Sequence, residues 1–279
     1  MSISVLTNVA SLNAQRNLAT TQASLAASVG RLSSGMRINS ASDDAAGLGI
    51  SENLKANIRS LAQAQRNAND GISLSQVAEG SMNEMQGIVS RMRELAVESS
   101  NGTLGANERG YIQTEFGQLA KEIDRISKVT DFNGQKLLDG TAAGGLVFQI
   151  GINNSTDDQM ALSIATLTTS TLGGANKITN ASLSTATNAQ TAIGTFDKAI
   201  QQLSQARANL GAVQNRMTVT VSNLSVAQEN LTAANSRIRD VDVANESANL
   251  TKSQILSQAG LAVLAQANQL PQSALSLLR

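Results

Sequence analysis

Two adjacent carboxylates, Asp43 and Asp44, are the residues of this sequence that most suggest chemistry, since paired acids can bind a metal or share a proton. They follow a stretch rich in Ser and Asn and precede a periodic apolar segment. This is where a helix begins, with Ser42 or Asp43 as its N-cap and acids favoured at its positive end. Gly47 and Gly49 lack the preceding strand and third glycine of a dinucleotide-binding loop. We therefore interpret the stretch as a helix start and predict no catalytic, metal-binding or cofactor-binding residue in it.

The amino-acid composition removes most of the chemistry that an enzyme needs. The chain of 279 residues has neither His nor Cys, so the commonest general base, the commonest metal ligand and the thiolate nucleophile are missing. Lys and Arg together number 21, as do Asp and Glu together, and no basic tract indicates nucleic acid or an anionic membrane as a partner. We predict that the protein is not an enzyme and binds no cofactor.

Neither a secretory signal nor a membrane span is indicated. The N-terminal residues, MSISVLTNVASLNAQRN, lack the basic region and the continuous apolar region of a signal peptide. The longest wholly apolar run, AGLAVLA at 259–265, is far shorter than the roughly 18 residues of a membrane-spanning helix. We predict no membrane insertion.

The second half of the chain contains a long coiled-coil pattern. Apolar residues recur at intervals of seven, at Phe196, Leu203, Leu210, Met217, Leu224, Leu231 and Ile238. A second row follows three residues behind, at Ala199, Ala206, Val213, Thr220, Ala227, Ala234 and Val241. These rows are the two core positions of a heptad and predict a helix of roughly 70 Å over 196–241. Such a length favours a rod, and a long helix in a globular bundle is the alternative interpretation.

Further helices are predicted in the first half. Apolar residues at spacings of three, four and seven indicate helices over about 5–32, 44–99 and 105–128. The last two are separated by a turn that contains Asn-Gly at 101–102. Aromatic residues make up only 2% of the chain and there is a single proline, so long unbroken helices packed through aliphatic side chains are expected.

The middle of the chain has a different period. Residues 146–152 and 160–164 alternate apolar with smaller or polar side chains and flank the polar run NNSTDD, which predicts a β-hairpin. Residues 165–190 are mostly Thr, Ser, Asn, Ala and Gly and show little pattern. The predicted fold class is therefore mainly α, a long helical coiled-coil rod with a small β-hairpin.

Both ends of the chain are nearly uncharged. Residues 1–30 contain one charged side chain, residues 253–278 contain none, and large apolar residues fall on every side of a helix over 250–278. A helix that is apolar all round needs burial, so we hypothesise that the ends become ordered when copies of the chain assemble. The residues predicted to drive this polymerisation are Leu12, Leu18, Leu25, Leu32, Leu250, Ile255, Leu256, Leu261, Leu264 and Leu270.

One more helical face has a noteworthy spacing. Arg91, Leu95 and Glu98 follow an i, i+4, i+7 pattern and share one side of the predicted helix. The spacing leaves two interpretations open: a partly apolar face that packs on a neighbouring helix, and a surface that recognises another protein.

Several stretches together resemble bacterial flagellin. They are SVLTNVASLNAQRNL near the start, RLSSGMRINSASDDAAGLGIS at 31–51, RMRELAVESSNGT at 91–103, EIDRISKVTDFNGQKLLDG at 122–140, NLGAVQNRM at 209–217 and QILSQAGLAVLAQANQLPQSALSLLR at 254–279. The resemblance covers about residues 1–165 and 190–279, and such long matches in order at both ends are highly specific. It implies a short flagellin without the outer domains that many relatives carry in the middle.

By this resemblance the protein is an extracellular structural subunit of the bacterial flagellar filament, which serves swimming motility. It implies export by a type III-like apparatus without signal cleavage and polymerisation with copies of the same chain. Further partners implied are an export chaperone, the filament cap and hook-junction proteins. The closest alternative is a hook–filament junction protein of the same superfamily.

The resemblance also implies discontinuous domains formed by both termini. Residues 1–42 with 239–279 would form an inner coiled coil that lines the filament channel. Residues 43–238 would form a surrounding helical layer with the hairpin near 146–164, and residues 165–190 a short variable connector.

Two groups of residues take roles by the same resemblance. The spoke between the layers would contain Gly35, where the chain changes direction, and Asp43 and Asp44, where the next helix starts. A surface used in filament packing and recognised by an animal innate immune receptor would contain Arg91, Leu95, Glu98 and Glu115. Many relatives have Gln at the position of Glu98.

Overall fold

The computed structural model describes the backbone of residues 7–276 and the side chains of residues 7–269. In this part of the chain there are five α-helices: α1 (Val9–Ser34), α2 (Ala45–Ser99), α3 (Ala106–Val129), α4 (Ala186–Arg239) and α5 (Val243–Ser276). Four short strands form two antiparallel hairpins: β1 (Asp131–Phe132) with β2 (Gln135–Lys136), and β3 (Leu146–Gln149) with β4 (Gln159–Leu162). The predicted fold class, mainly α with a small hairpin, is confirmed. The first residues of the helix predicted from residue 5 lie outside the described residues.

Contacts divide the chain into two compact units. The terminal unit contains the residues up to Ile58 together with those from Glu229 onward, and the central unit contains Arg59–Gln228. Because the terminal unit draws on both ends of the sequence, it is discontinuous along the chain.

The helix that carries the heptad ends earlier than its apolar pattern predicts. Arg239 is the last residue of α4, so Val241 lies outside the helix. The reason is a new helix start: the carboxylate of Asp242 accepts hydrogen bonds from the backbone N–H groups of Ala244 (3.0 Å) and Asn245 (3.2 Å), as an N-cap does. An aspartate next to an apolar heptad position was the sequence signal for this break.

The core of the central unit is built from α2, α3 and α4. Its buried apolar side chains include Leu74, Ala78, Met82, Met85, Val89, Met92, Leu95, Ile112, Phe116, Ile123, Phe196, Ala199, Leu203 and Leu210. The rings of Phe116 and Phe196 lie against each other at 53°, with centroids 5.7 Å apart. This tilted arrangement is favourable for aromatic pairs, and Phe196 is the point where the heptad of α4 begins.

Burial along that heptad is uneven. From Phe196 to Leu224 the first row is fully buried in the central unit. Further along the same helix, in the terminal unit, Leu231 and Ile238 are only half-buried. A continuous heptad therefore does not produce continuous burial.

The predicted hairpin is present between α3 and α4. Phe148 of β3 pairs with Met160 of β4 in antiparallel register. Phe148 and Met217 approach α2 at Gly71, where an added Cβ would lie 2.7 Å from the Met217 Cε and 3.4 Å from the Phe148 ring. The glycine thus allows the hairpin and α4 to pack closely on α2.

The second hairpin, β1–β2, was not predicted. Its turn is Asn133-Gly134, with φ of 52° and 80°. Two consecutive positive φ values are typical of a type I′ turn, for which Asn-Gly is the preferred pair. The signal was thus present in the sequence, although strands of two residues leave almost no alternation to detect.

Residues 165–185 fold onto the core of the central unit despite their weak pattern. Leu167, Leu172, Ile178 and Leu183 are all buried there. The predicted connector 165–190 is thus largely packed structure, and α4 already begins within it.

Side-chain hydrogen bonds hold this segment in place. The carboxylate of Asp124 accepts from both the N–H and the hydroxyl of Thr169, each at 2.9 Å. The hydroxyl of Ser99 donates to the carbonyl of Leu183 (2.5 Å), and the Gln113 side chain accepts from the N–H of Leu183 (2.6 Å). These contacts join residues far apart in sequence, which explains why periodicity did not predict them.

Candidate functional site on the terminal helices

In the terminal unit α1 and α5 pack along each other in opposite directions. Near the start of α1, the side-chain amide of Asn8 donates to the carbonyl of Ala267, late in α5, at 2.8 Å. Near the end of α1, Arg31 lies 3.9 Å from Glu246, early in α5. The two helices therefore form an antiparallel pair from segments near opposite ends of the chain.

The fully buried residues of this pair are small or polar. The buried residues of α1 and of the described part of α5 are Ser11, Ser28, Glu246 and Ala267. An open groove of about 680 Å³ runs between the helices and is lined mainly by hydroxyl and amide side chains, among them Asn17, Thr20, Ser24 and Asn249. No large apolar side chain of α1 or of the described part of α5 is fully buried, so the hydrophobic stabilisation of the pair is smaller than that of the core of the central unit.

The residues predicted to drive polymerisation lie on this pair with different exposures. Leu12, Ile255, Leu256 and Leu261 are between 49% and 60% exposed. The other described members are half-buried, at Leu18, Leu25, Leu32, Leu250 and Leu264. The side chain of Leu270 lies outside the described residues.

Further large aliphatic side chains extend this exposed surface. Val9 and Val29 on α1 and Val263 on α5 are at least half exposed. Apolar side chains concentrated on one element of a protein mark an interaction surface more often than scattered ones do. The terminal unit thus presents apolar side chains that its own fold does not cover.

The segment predicted as a spoke starts at a left-handed glycine. Gly35 follows α1 with φ of 69°, a conformation that other residues rarely adopt. Its carbonyl accepts the N–H of Val241 (3.1 Å), and Met36 forms an antiparallel bridge with Asp240. The predicted spoke therefore pairs with the break between α4 and α5 inside the terminal unit.

Asp44, and not Ser42 or Asp43, is the N-cap of α2. Its carboxylate accepts the N–H of Gly47 at 2.8 Å, three residues on, as expected for a cap. A Cβ on Gly47 would collide with this carboxylate and lie 2.9 Å from the Ile38 side chain. The prediction that Ser42 or Asp43 caps the helix is wrong, because the helix starts one residue later than the pattern indicates.

Asp43 closes the turn that precedes the cap. Its carboxylate accepts from the N–H groups of Ser40 (2.9 Å) and Asn39 (3.1 Å) and from the Ser40 hydroxyl (3.0 Å). These hydrogen bonds, above all that from the Ser40 N–H, hold the pKa of Asp43 below its ordinary value. Arg31 lies 4.0 Å away and adds a smaller favourable interaction.

An ion pair that sequence analysis did not identify joins α2 to α4 in the terminal unit. Arg239 donates to the carboxylate of Glu52 at 2.5 Å, and this hydrogen bond, followed by one from Lys55, lowers the pKa of Glu52. Next to it the hydroxyl of Ser51 donates to the side chain of Asn235 at 2.8 Å. Partners this far apart in sequence carry no local signal.

The Arg91 surface lies on the central unit, at α2 and α3. The guanidinium of Arg91 contacts the carboxylates of Glu94 at 3.1 Å and Glu115 at 2.9 Å. Hydrogen bonds to Glu94 and then Glu115 raise the pKa of Arg91 above its ordinary value. Glu98 is exposed on the same helix, so the three predicted charged residues are accessible.

Leu95 differs from those three residues. Only 1% of its surface is exposed, and it belongs to the core of the central unit. This corrects the expectation that Leu95 contributes to a recognition surface. The spacing predicted Leu95 on the same side of the helix as Arg91 and Glu98. In the structure Leu95 lies on the side of α2 that also carries the buried Met92 and Ser99.

The described residues contain no group of three or more acidic side chains that could hold a metal ion. Within 7–276, no helix combines the length and the apolar character that crossing a lipid bilayer requires.

A mainly helical chain that leaves large apolar side chains exposed on a pair of long helices has the features of a self-associating structural protein. The family models identify the class more closely. The model for the bacterial flagellin N-terminal helical region matches residues 5–143, and that for the bacterial flagellin C-terminal helical region matches residues 193–278.

Curated relatives agree over their whole length. The chain is 46% identical to the flagellar filament 33 kDa core protein of Treponema phagedenis, 47% identical to a flagellin of Halalkalibacterium halodurans and 45% identical to a flagellin of Bacillus subtilis. Each alignment covers 98% of this chain and 98% of the relative. The chain therefore belongs to the bacterial flagellin family.

Membership of this family defines the general function. The chain is a structural subunit that polymerises with its own copies into a flagellar filament, and it is not an enzyme. The alternative of a hook–filament junction protein is not favoured, since the three relatives are flagellins or a filament core protein.

Proposed function

We propose that copies of this flagellin polymerise through the exposed apolar side chains of α1 and α5, in the extracellular filament that serves swimming. The observation that carries the proposal is the exposure of Ile255, Leu256 and Leu261 on a helix pair in which no large apolar side chain of the described residues is fully buried. Full burial of one such side chain contributes about 1.5–3 kcal/mol. Copies of the same chain can provide that cover, since the same side chains are exposed on each.

The proposed arrangement of the filament has two layers. Residues 1–42 with 239–279 form an inner coiled coil that lines the channel, and residues 43–238 form the layer around it. Residues 165–190 are proposed as the position of a short variable connector. The pairing of α1 with α5 supports the inner layer, because it brings the two ends of the chain together.

The spoke between the layers is proposed at Gly35, Asp43 and Asp44. Gly35 has a left-handed conformation, Asp43 closes a turn and Asp44 caps α2. Each of these features reverses or redirects the chain within ten residues, which is what a connection between layers requires.

The exposed apolar side chains of α1 and α5 are also the proposed binding surface for the partners in export and assembly. Before polymerisation an export chaperone would cover these side chains by binding α5. At the end of the filament the cap and the hook-junction proteins would meet equivalent faces. We propose that the subunit leaves the cell through the flagellar type III apparatus without signal cleavage.

A surface for an animal innate immune receptor is proposed at Arg91, Glu98 and Glu115. The exposed ion pair between Arg91 and Glu115 supports it, since it fixes a charged pattern across two helices. Leu95 is omitted because its side chain is buried.

Deleting residues 253–279 tests the polymerisation proposal. We expect a soluble, largely helical monomer that forms no filaments, because the central unit keeps its own core while α5 loses most of its apolar surface. Circular dichroism measures the helix content, and electron microscopy with sedimentation measures polymerisation. Normal filaments from the truncated chain would contradict the proposal.

A substitution pair provides a matched control for the deletion. Leu256→Ser with Leu261→Ser should prevent polymerisation and leave the monomer folded. Gln254→Ser with Gln258→Ser changes exposed polar residues of the same helix and should leave polymerisation intact. Equal loss of filaments in both variants would point to damage of α5 rather than loss of apolar contacts.

A further inference from the structure

A groove on the central unit has no role in the function proposed so far. It lies between α2 and α3, has a volume of about 500 Å³ and is lined by Val77, Ile126 and Val129 together with Glu84. Val129 is 55% exposed and Val77 41% exposed. The floor of the groove is thus apolar and only partly covered by the chain itself.

The groove is also acidic. Two of its carboxylates have partners, since Glu122 contacts Arg125 at 2.6 Å and Asp131 contacts Lys136 at 3.5 Å. Glu84 forms no hydrogen bond and no ion pair with any side chain in the described part of the chain. One negative charge is therefore left without a partner beside exposed aliphatic side chains.

A complementary ridge lies on the outer side of α4. Arg216, Val219, Asn223 and Val226 follow spacings of three and four, so they form one stripe along the helix. Val219 is 61% exposed and Val226 is 56% exposed. Among the described residues the guanidinium of Arg216 has no hydrogen-bond or ion-pair partner.

The groove and the ridge match in length and in charge. The α2 side of the groove runs from Val77 to Ile88, about 16 Å at 1.5 Å per residue, and the ridge from Arg216 to Val226 is about 15 Å long. Side-chain ridges of one helix pack into grooves of others. The positive charge of Arg216 complements the negative charge of Glu84, and neither has a partner within the described part of the chain. The valines of the ridge and of the groove can bury one another.

We infer that the α4 ridge of one copy packs into the α2–α3 groove of another copy, with Arg216 facing Glu84. The ridge of one copy cannot pack into the groove of the same copy, because both surfaces face away from the core that α2, α3 and α4 share. A contact between two different surfaces of the same chain leaves one of each free at the ends, so it can continue into an open helical polymer. The inference rests on the proposed polymerisation and adds a contact between central units.

The absence of cysteine from the sequence allows a direct test by crosslinking. Chains with Glu84→Cys and chains with Arg216→Cys are mixed, polymerised and treated with a short bismaleimide crosslinker. The crosslinker spans the gap that the two long charged side chains filled, which is wider than the Cα separation of about 4.4–6.8 Å that a direct disulfide requires. Covalent dimers of twice the 29.0 kDa chain mass are expected only in the mixed polymer. Each variant polymerised alone should stay monomeric on a denaturing gel.

A control pair uses exposed charges outside the groove and the ridge. Asp70 on α2 and Lys198 on α4 are exposed, and a mixture of Asp70→Cys and Lys198→Cys chains should give no dimers. Equal crosslinking of the control mixture, or none in the test mixture, would overturn the inference.

Charge reversal tests the same contact without cysteines. Glu84→Arg or Arg216→Glu alone should raise the critical concentration for polymerisation about two- to tenfold, as expected for one exposed ion pair turned into a repulsion. The double variant should return to within about twofold of the unmodified chain. Unchanged polymerisation in both single variants, or no rescue in the double variant, would contradict the contact.

The outcomes separate this inference from the proposed function. If the unmodified chain polymerises and requires residues 253–279, but the groove and ridge variants show neither crosslinking nor rescue, only the contact between central units is wrong. If the unmodified chain does not polymerise at all, both proposals are wrong.

Discussion

In the central unit the first heptad row of α4 is covered by α2, α3 and residues 165–185, and Phe196, Leu203 and Leu210 are buried. In the terminal unit α5 packs along α1, and Ile255 and Leu261 stay more than half exposed. Both regions are long helices with regularly placed aliphatic residues. The difference lies in the number of neighbours, since one partner helix can cover only one side of another.

This difference separates stability from assembly within one chain. The apolar side chains that form the core of the central unit are already buried in the monomer and stabilise its fold. Many large apolar side chains of the terminal unit are still exposed, so the free energy of burying them remains available for contacts between copies. We therefore expect substitutions in the two regions to change different measured quantities.

The largest effect on monomer stability is expected from Phe196→Ala. It removes a buried ring that packs on Phe116 and should lower the free energy of unfolding of the central unit by about 3–5 kcal/mol. Chemical denaturation of the monomer measures this value. The matched substitution Leu256→Ala, at a 49% exposed position, should change monomer stability by less than about 0.5 kcal/mol and weaken polymerisation. Similar losses of monomer stability in the two variants would remove the distinction between the units.

A smaller effect is expected at the start of α2. Asp44→Ala removes the N-cap contact to the N–H of Gly47 and should cost about 1 kcal/mol in local stability. Amide hydrogen exchange of the first turn of α2 measures the loss. Ser42→Ala is the control, because Ser42 makes no contact to the first turn. If Ser42→Ala accelerates exchange as much as Asp44→Ala does, Asp44 is not the cap.

The smallest effect is expected from acidification of the terminal unit. Arg239 and Lys55 lower the pKa of Glu52 below its ordinary 4.5, so this carboxylate stabilises the fold above pH 4.5 and loses that contribution as pH falls through its lowered pKa. Carboxyl NMR titration should report a pKa under 4.5. In the Arg239→Gln variant the pKa should move back up, and a pKa that stays the same would exclude Arg239 as the main cause.

Local patterns predicted the elements that depend on neighbours in sequence. Spacings of three, four and seven predicted the long helices, and alternation predicted the hairpin of β3 and β4. The weakly patterned residues 165–185 were different, because their burial depends on hydrogen bonds from Asp124, Gln113 and Ser99. A one-dimensional pattern does not contain contacts between such distant residues.

The candidate site shows the same division. Sequence alone indicated that both ends are apolar and nearly uncharged, and it identified the family through long motifs in order. It did not determine which residues of a face point inward, so Leu95 was expected on a surface although it is buried. It also did not distinguish Asp43 from Asp44, whose roles follow from which backbone N–H groups each carboxylate reaches.

By itself, then, the sequence determined the mainly helical class, the long helices and the apolar ends, because periodicity and composition are properties of neighbouring residues. Only the tertiary structure decided which apolar residues the monomer covers and which stay exposed on α1 and α5. The physical reason is that burial depends on how many elements surround a side chain, and those elements come from distant parts of the sequence.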